Sequence, residues 1–137
     1  MKKKSNQLLI MICILVLPLI QQCSDGKSST RKTLEFVSKE ANKQFPKMID
    51  EITRIDSTGI TSDSVLQYYY TIMKDVDKES FDTNNVRNIL IPTATDIIKT
   101  KEELKVLKKS KITFSYLYRD KNGAYLFSYS VTPSMYQ

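Results

Sequence analysis

Apolar and polar positions change their spacing several times along the chain, and each change marks an element. An unbroken apolar run from Leu8 to Ile20 comes first and gives way to polar Ser24–Thr30. Leu34, Val37, Ala41 and Phe45 then recur at three- and four-residue spacing, which predicts a helix from Arg31 or Lys32 that ends at Phe45, ahead of Pro46. Met48 to Asp56 reads as a strand of imperfect alternation, and Ser57-Thr58-Gly59 as the turn after it. Val65 to Met73 is the next strand, with Leu66, Tyr68, Tyr70 and Ile72 on one face and Val65, Tyr69 and Met73 on the other.

A charged loop, Lys74 to Asp82, leads into a helical region from Asn84 to Ser110 that Pro92 is expected to break. Thr100-Lys101-Glu102-Glu103 has capping-box spacing and predicts a last helix from Lys101. The clearest alternation closes the chain. Ile112, Phe114, Tyr116 and Tyr118 form one row; Asp120-Lys121-Asn122-Gly123 turns the chain; Tyr125, Phe127, Tyr129 and Val131 form the return row, which Pro133 ends. The order helix, hairpin, helix, hairpin predicts an α+β fold: a four-stranded antiparallel sheet from two hairpins, with the helices packed on one face.

The N-terminal run sets the destination. Lys2, Lys3 and Lys4 precede it, and its thirteen apolar residues fall short of the roughly 20 needed to span hydrocarbon as a helix. No Ala-x-Ala cleavage pattern is present, since the first alanine is Ala41; Ile20-Gln21-Gln22-Cys23 stands at the expected cut. This segment resembles bacterial lipoprotein precursors, in which a short apolar run leads to a lipobox cysteine and a polar tether. Gln21-Gln22 departs from the small residues usual there. The resemblance implies that Cys23 is acylated and becomes the new N-terminus, with the membrane as partner through that lipid and the domain in the cell envelope, outside the cytoplasm. Cys13, preceded by bulky Ile12, is a poorer candidate; cleavage after Gly26 or an uncleaved anchor are the alternatives. The organisation is then a signal peptide (1–22), a lipidated cysteine and flexible tether (23–31) and a single domain (32–137).

Composition narrows the chemistry. The chain has 21 Lys+Arg against 15 Asp+Glu, and three of those lysines belong to the leader, so the mature domain is mildly basic and nucleic acid is not its expected partner. Once Cys13 is removed no disulfide can form within one chain, and a domain of this length can fold as a monomer without one. Histidine is absent, which removes the commonest general base and metal ligand. The glycines are Gly26, Gly59 and Gly123, too few for a phosphate-cradling loop, and Ser-x-x-Lys occurs only in the tether and first helix.

The acidic runs Asp75-Val76-Asp77-Lys78-Glu79 and Asp120-Lys121-Asn122-Gly123 lack the glycine and closing glutamate of a calcium loop and read as a solvated loop and a hairpin turn. Asp50, Arg54 and Asp56 read as ion pairs along a strand. No catalytic residue, metal site or cofactor is assigned.

Two surfaces stand out. Lys99, Lys101, Lys105, Lys108, Lys109 and Lys111 read as a solvated helix face, with anionic headgroups as the alternative. Tyr69, Leu117 and Leu126 point away from the main apolar rows and form a possible partner face.

Asn42-x-x-Phe45-Pro46-x-Met48-Ile49-Asp50-x-x-Thr53-Arg54-Ile55-Asp56, Tyr68-x-Tyr70, Tyr116-x-Tyr118-x-Asp120-x-x-Gly123 and Val131-Thr132-Pro133 together resemble small exported bacterial proteins of unassigned function. The resemblance implies a fold and an envelope location, and no activity. The resulting expectation is a lipid-anchored, non-enzymatic envelope protein that binds another, unknown envelope protein or serves a structural role. A carboxylate-dependent envelope hydrolase and a secreted inhibitor cleaved beyond Cys23 are the alternatives.

Overall fold

The computed structural model describes residues 28–137; the signal-like segment, Cys23 and most of the tether lie outside the described residues. Helix α1 (Ser29–Asn42) begins inside the stretch expected to be tether, because the Ser28 side chain accepts a hydrogen bond from the Arg31 N–H and caps it. It stops three residues before Phe45. Its inward stripe buries Leu34 and Ser38, and Ser38 and Asn42 grip the second strand.

Five strands follow, β1 (Lys47–Met48), β2 (Thr53–Ser62), β3 (Val65–Ile72), β4 (Thr113–Asp120) and β5 (Tyr125–Val131), side by side in chain order. The fold is α+β, but its sheet is five-stranded and mixed rather than four-stranded and antiparallel, since β3 and β4 run parallel.

The cause is helix α2 (Thr83–Thr100), which Pro92 does not break. Asp82 caps its start through the N–H groups of Asn84 and Asn85. Pro92 removes one hydrogen bond to the turn before it, but both Pro92 and Asn88, whose carbonyl is freed, are exposed to water. An 18-residue helix is about 27 Å long, the length of an eight-residue strand at about 26 Å. One unbroken pass therefore returns the chain to the end where β3 began, and β4 sets out in the same direction. Two shorter helical pieces folded against each other would have left it at the other end.

The capping-box reading at Thr100 is corrected as well. Thr100 is the last residue of α2, its hydroxyl donating to the Asp96 carbonyl, and a short 3-10 turn (Glu102–Leu104) precedes α3 (Lys105–Lys109). Pro133 opens a one-turn helix, α4 (Pro133–Tyr136), whose Tyr136 hydroxyl donates to the Ile112 carbonyl at 2.6 Å.

β2 runs straight through the expected turn at Ser57-Thr58-Gly59; the chain reverses at Asp63-Ser64 instead. Beyond Ile55 the outer edge of β2 has no strand partner, and the Asn42 side chain stands in for one. Its amide donates to the Thr58 carbonyl (3.0 Å), and its oxygen accepts from the Thr58 N–H (2.6 Å). Gly59 then leaves room for the Tyr69 ring across the strand pair, where a Cβ would lie 3.2 Å from a ring carbon.

The core forms between the helices and one face of the sheet, from Leu34, Leu66, Ala94, Ile98, Leu107, Ile112, Phe114, Phe127 and Val131. The opposite face carries no fully buried hydrophobic residue. No helix among the described residues is long and apolar enough to cross a membrane.

Asn42→Ala leaves the Thr58 N–H without its partner in a buried setting, while the Thr58 carbonyl keeps the Ser38 hydroxyl at 3.2 Å. It should cost about 2 kcal/mol of stability, measured as a lowered urea midpoint with unchanged slope.

Candidate functional site

Strand register places three rings side by side twice. Tyr68 on β3 pairs with Tyr116 on β4, which pairs with Tyr129 on β5; two residues on, Tyr70, Tyr118 and Phe127 line up in the same way. The rings of the first row stack at 5.4 and 4.7 Å between centroids, and those of the second at 4.8 and 4.5 Å. Phe114 lies one register step before the first row, fully buried against Tyr136. These rows point toward the helices, as their alternation predicted.

The helices do not close over them. α1 lies on β2 and α2 on the β5 side, so Tyr68, Tyr70 and Tyr116 stay only half-buried. A half-open cleft of about 330 Å³ results. Tyr68, Tyr70, Tyr116 and Tyr129 floor it, Leu90, Ile97 and Ile98 of α2 wall it, and Lys101 and Leu104 stand at one end.

Burial pushes the hydroxyls of Tyr68, Tyr70, Tyr116, Tyr118 and Tyr129 above the ordinary tyrosine value, and neighbouring ring hydroxyls add to the shift at Tyr70, Tyr116 and Tyr129. At neutral pH the floor is therefore uncharged. It offers ring faces and O–H groups, suited to apolar side chains and to the polar edges of a bound segment. Among the described residues no carboxylate lines the cleft.

The other expected features fall elsewhere. Tyr69 and Leu117 are register neighbours on the opposite face, where the Arg119 guanidinium sits 5.8 Å from the Tyr69 ring centre. Leu126 is separated from them by the irregularity between Tyr118 and Arg119 and packs partly against the core. The three do not form one continuous apolar patch. Arg54, Asp56, Gln67 and Ser115 share that face, Arg54 pairing with Asp56 at 2.6 Å.

The acidic loops bond to each other and to their own backbone. Lys78 meets Asp120 at 2.9 Å and Lys121 meets Asp75 at 2.6 Å, which ties the β3–α2 loop to the β4–β5 turn. The Lys78 hydrogen bond holds the Asp120 carboxyl below its ordinary range, and the Asn122 and Ala124 N–H groups bind the same carboxylate. Gly123, at φ +85°, completes that turn. Among the described residues no group of three or more His, Cys, Asp or Glu is placed to hold a metal.

Sequence reading took the tyrosine rows as core and missed the cleft. The available signal was the pairing of Tyr68-x-Tyr70 with Tyr116-x-Tyr118, too many hydroxyls for a closed interior without partners.

Fold and cleft together define a small α+β domain with a half-open aromatic groove between its helices. The chain belongs to the family described as "Domain of unknown function (DUF8479)", which matches residues 28–127. A search of curated proteins finds no match. Three solved structures are similar in fold. A Pseudomonas aeruginosa protein named for its expected secretion is 15% identical, with a TM-score of 0.66 over 79% of this chain and 93% of that one. The Vibrio vulnificus type 2 secretion system pilotin EpsS is 12% identical, with a TM-score of 0.57 over 79% and 96%. The Vibrio cholerae type II secretion system pilotin AspS is 14% identical, with a TM-score of 0.52 over 77% and 94%.

The raised tyrosines make stability depend on alkaline pH. A group with a raised folded pKa contributes fully below its unfolded value, here 10.0, and loses that contribution as pH rises toward the folded value. Stability should be level up to about pH 10 and then fall by about 1.4 kcal/mol per pH unit for each buried tyrosine. Urea unfolding at stepped pH measures this, and Tyr70→Phe should flatten the slope.

Proposed function

We propose that this is an exported cell-envelope protein, held at a membrane by lipid on Cys23, whose domain binds a segment of another envelope protein. The occupant of the cleft would be an amphipathic segment presenting apolar side chains to the tyrosine rows. The cleft carries this reading: it is preformed, apolar at its walls, edged with neutral hydroxyls and, among the described residues, lined by no carboxylate. The alternative of a carboxylate-dependent hydrolase is less favoured. Asp75, Asp77 and Asp82 line a second, more open depression, but Asp75 pairs with Lys121, Asp77 bonds Ser80 and Asp82 caps α2. Asp50, Asp56 and Asp120 are engaged in turns and ion pairs. The shared fold of two pilotins and a protein named for secretion supports the envelope location and the non-enzymatic role.

Binding can be located by placing a photo-crosslinking residue at Ile97, in the cleft wall, or at Leu117, on the opposite face. In native envelopes the Ile97 position should give a discrete adduct and the Leu117 position none. The reverse result would move the site to the face of Tyr69 and Leu117, and no adduct from either would remove the binding reading. Ile97 is 46% exposed, so Ile97→Asp should keep the fold while weakening capture by about 2 kcal/mol, roughly thirtyfold.

The anchor is tested separately. Intact mass of the mature N-terminal peptide should show acyl chains on Cys23, each buried CH₂ contributing about 0.8 kcal/mol to membrane attachment. Cys23→Ala should leave an unacylated precursor or a released product. An unmodified N-terminus downstream of Cys23 would overturn the anchor.

A further inference from the structure

The folded domain has two poles of opposite charge. A chain of contacts fixes the first. Arg31, at the start of α1, pairs with Asp63 in the β2–β3 turn at 2.9 Å. The next residue, Ser64, accepts a hydrogen bond from the Thr113 N–H at 2.9 Å, and Thr113 follows directly on Lys111-Ile112. Lys108 lies there too, its ammonium on the Lys99 carbonyl and its own carbonyl accepting from Gln137. The end of α2, the 3-10 turn, α3 and the start of α1 therefore share one end of the domain. Residues 99–111 carry six lysines against two glutamates, Glu102 and Glu103. Five of those lysines are exposed, and Val106, 60% exposed, sits among them.

The other pole is acidic. The β3–α2 loop holds Asp75, Asp77, Glu79 and Asp82 against Lys74 and Lys78. Its ion pairs bind it to the β4–β5 turn, and the Met73 N–H bonds the Ile52 carbonyl, bringing Asp50 and Glu51 to the same end.

We propose that the lysine-rich pole rests on anionic phospholipid headgroups, standing the domain upright with its acidic pole away from the bilayer. This rests on the anchored reading of Cys23 for its context but not for its charge argument. Only Ser24 to Lys27 separate Cys23 from Ser28, so Cys23 and Ser28 are at most about 18 Å apart even when extended. The chain enters the domain at the basic pole, which is thus the part kept at the surface. There each lysine gains from the negative potential, while the acidic pole is repelled. Val106 adds an apolar contact at headgroup depth.

The test is lysine footprinting of the purified full chain on vesicles of phosphatidylcholine alone or mixed with phosphatidylglycerol, read by mass spectrometry. Acetylation of Lys99, Lys105 and Lys109 should slow several-fold with phosphatidylglycerol, that of Lys74 should not, and salt at about 1 M should erase the difference. The triple variant Lys99→Gln, Lys105→Gln, Lys109→Gln should lower the phosphatidylglycerol-dependent association about a hundredfold, at about fivefold per lysine. Equal protection at Lys74 and Lys105, or protection indifferent to phosphatidylglycerol, overturns the proposal. The same spectra report acyl mass on the N-terminal peptide. Absent acyl chains would overturn the anchor alone, while the lysine pattern still decides the orientation.

Discussion

Pairing β3 with β4 in parallel sets Tyr68 beside Tyr116 and Tyr70 beside Tyr118, and β5 extends each row by one ring. The other features of the groove follow from that register. Side chains alternate faces, so a slip of one residue would turn every ring to the polar side and leave the helices nothing apolar to cover. Stacked pairs are each worth about 0.5–1.5 kcal/mol beyond the area they bury. Rows this long resist rearrangement, which holds the cleft floor in place. Binding to a preformed surface incurs less ordering cost than binding that must first assemble one.

That register depends in turn on the path of α2. The sequence showed the helical region, but Pro92 was expected to divide it, and a divided helix is consistent with an antiparallel return. The deciding fact is that Asn88, whose carbonyl is freed, and Pro92 both lie on the exposed side of the helix. Periodicity places a proline in a helix without saying which side of the helix it occupies once folded. Gly59 misled in the same way. It reads as a turn residue, yet its lack of a Cβ serves the Tyr69 ring across the strand pair, a contact visible only when register is known. By contrast, the closing hairpin was legible over most of its length, from Phe114–Val131 to Tyr118–Phe127, although the irregularity beyond Tyr118 leaves Tyr125, expected in the inward row, exposed.

The candidate site was half legible. Alternation assigned Phe114, Tyr116, Phe127 and Tyr129 to the face the helices cover, and they are there. What alternation cannot give is the spacing between α1 and α2. That spacing is set at the margins, by Asn42 and Ser38 on Thr58 at one side and by the Arg87 guanidinium on the Ser128 carbonyl (3.0 Å) at the other. Each clamp fixes a helix over an outer strand, and the middle strands are left partly open.

The charge poles arise from the same topology. Acids cluster in one inter-element segment and lysines in another, and a chain average hides both. Because β3 and α2 each cross the whole sheet, successive connections fall at alternate ends, so blocks that are neighbours in sequence separate in space. Lys101 and Leu104 belong to the basic segment and also stand at the end of the aromatic cleft. The two surfaces are therefore mechanically one unit. If the basic pole settles on headgroups, the lysine-bearing end of the groove lies nearest the bilayer, and a bound segment must enter from the side or from the acidic end. An occupant emerging from the same membrane would then meet the groove in one orientation only, which makes the distribution of charge a constraint on direction as well as on attachment.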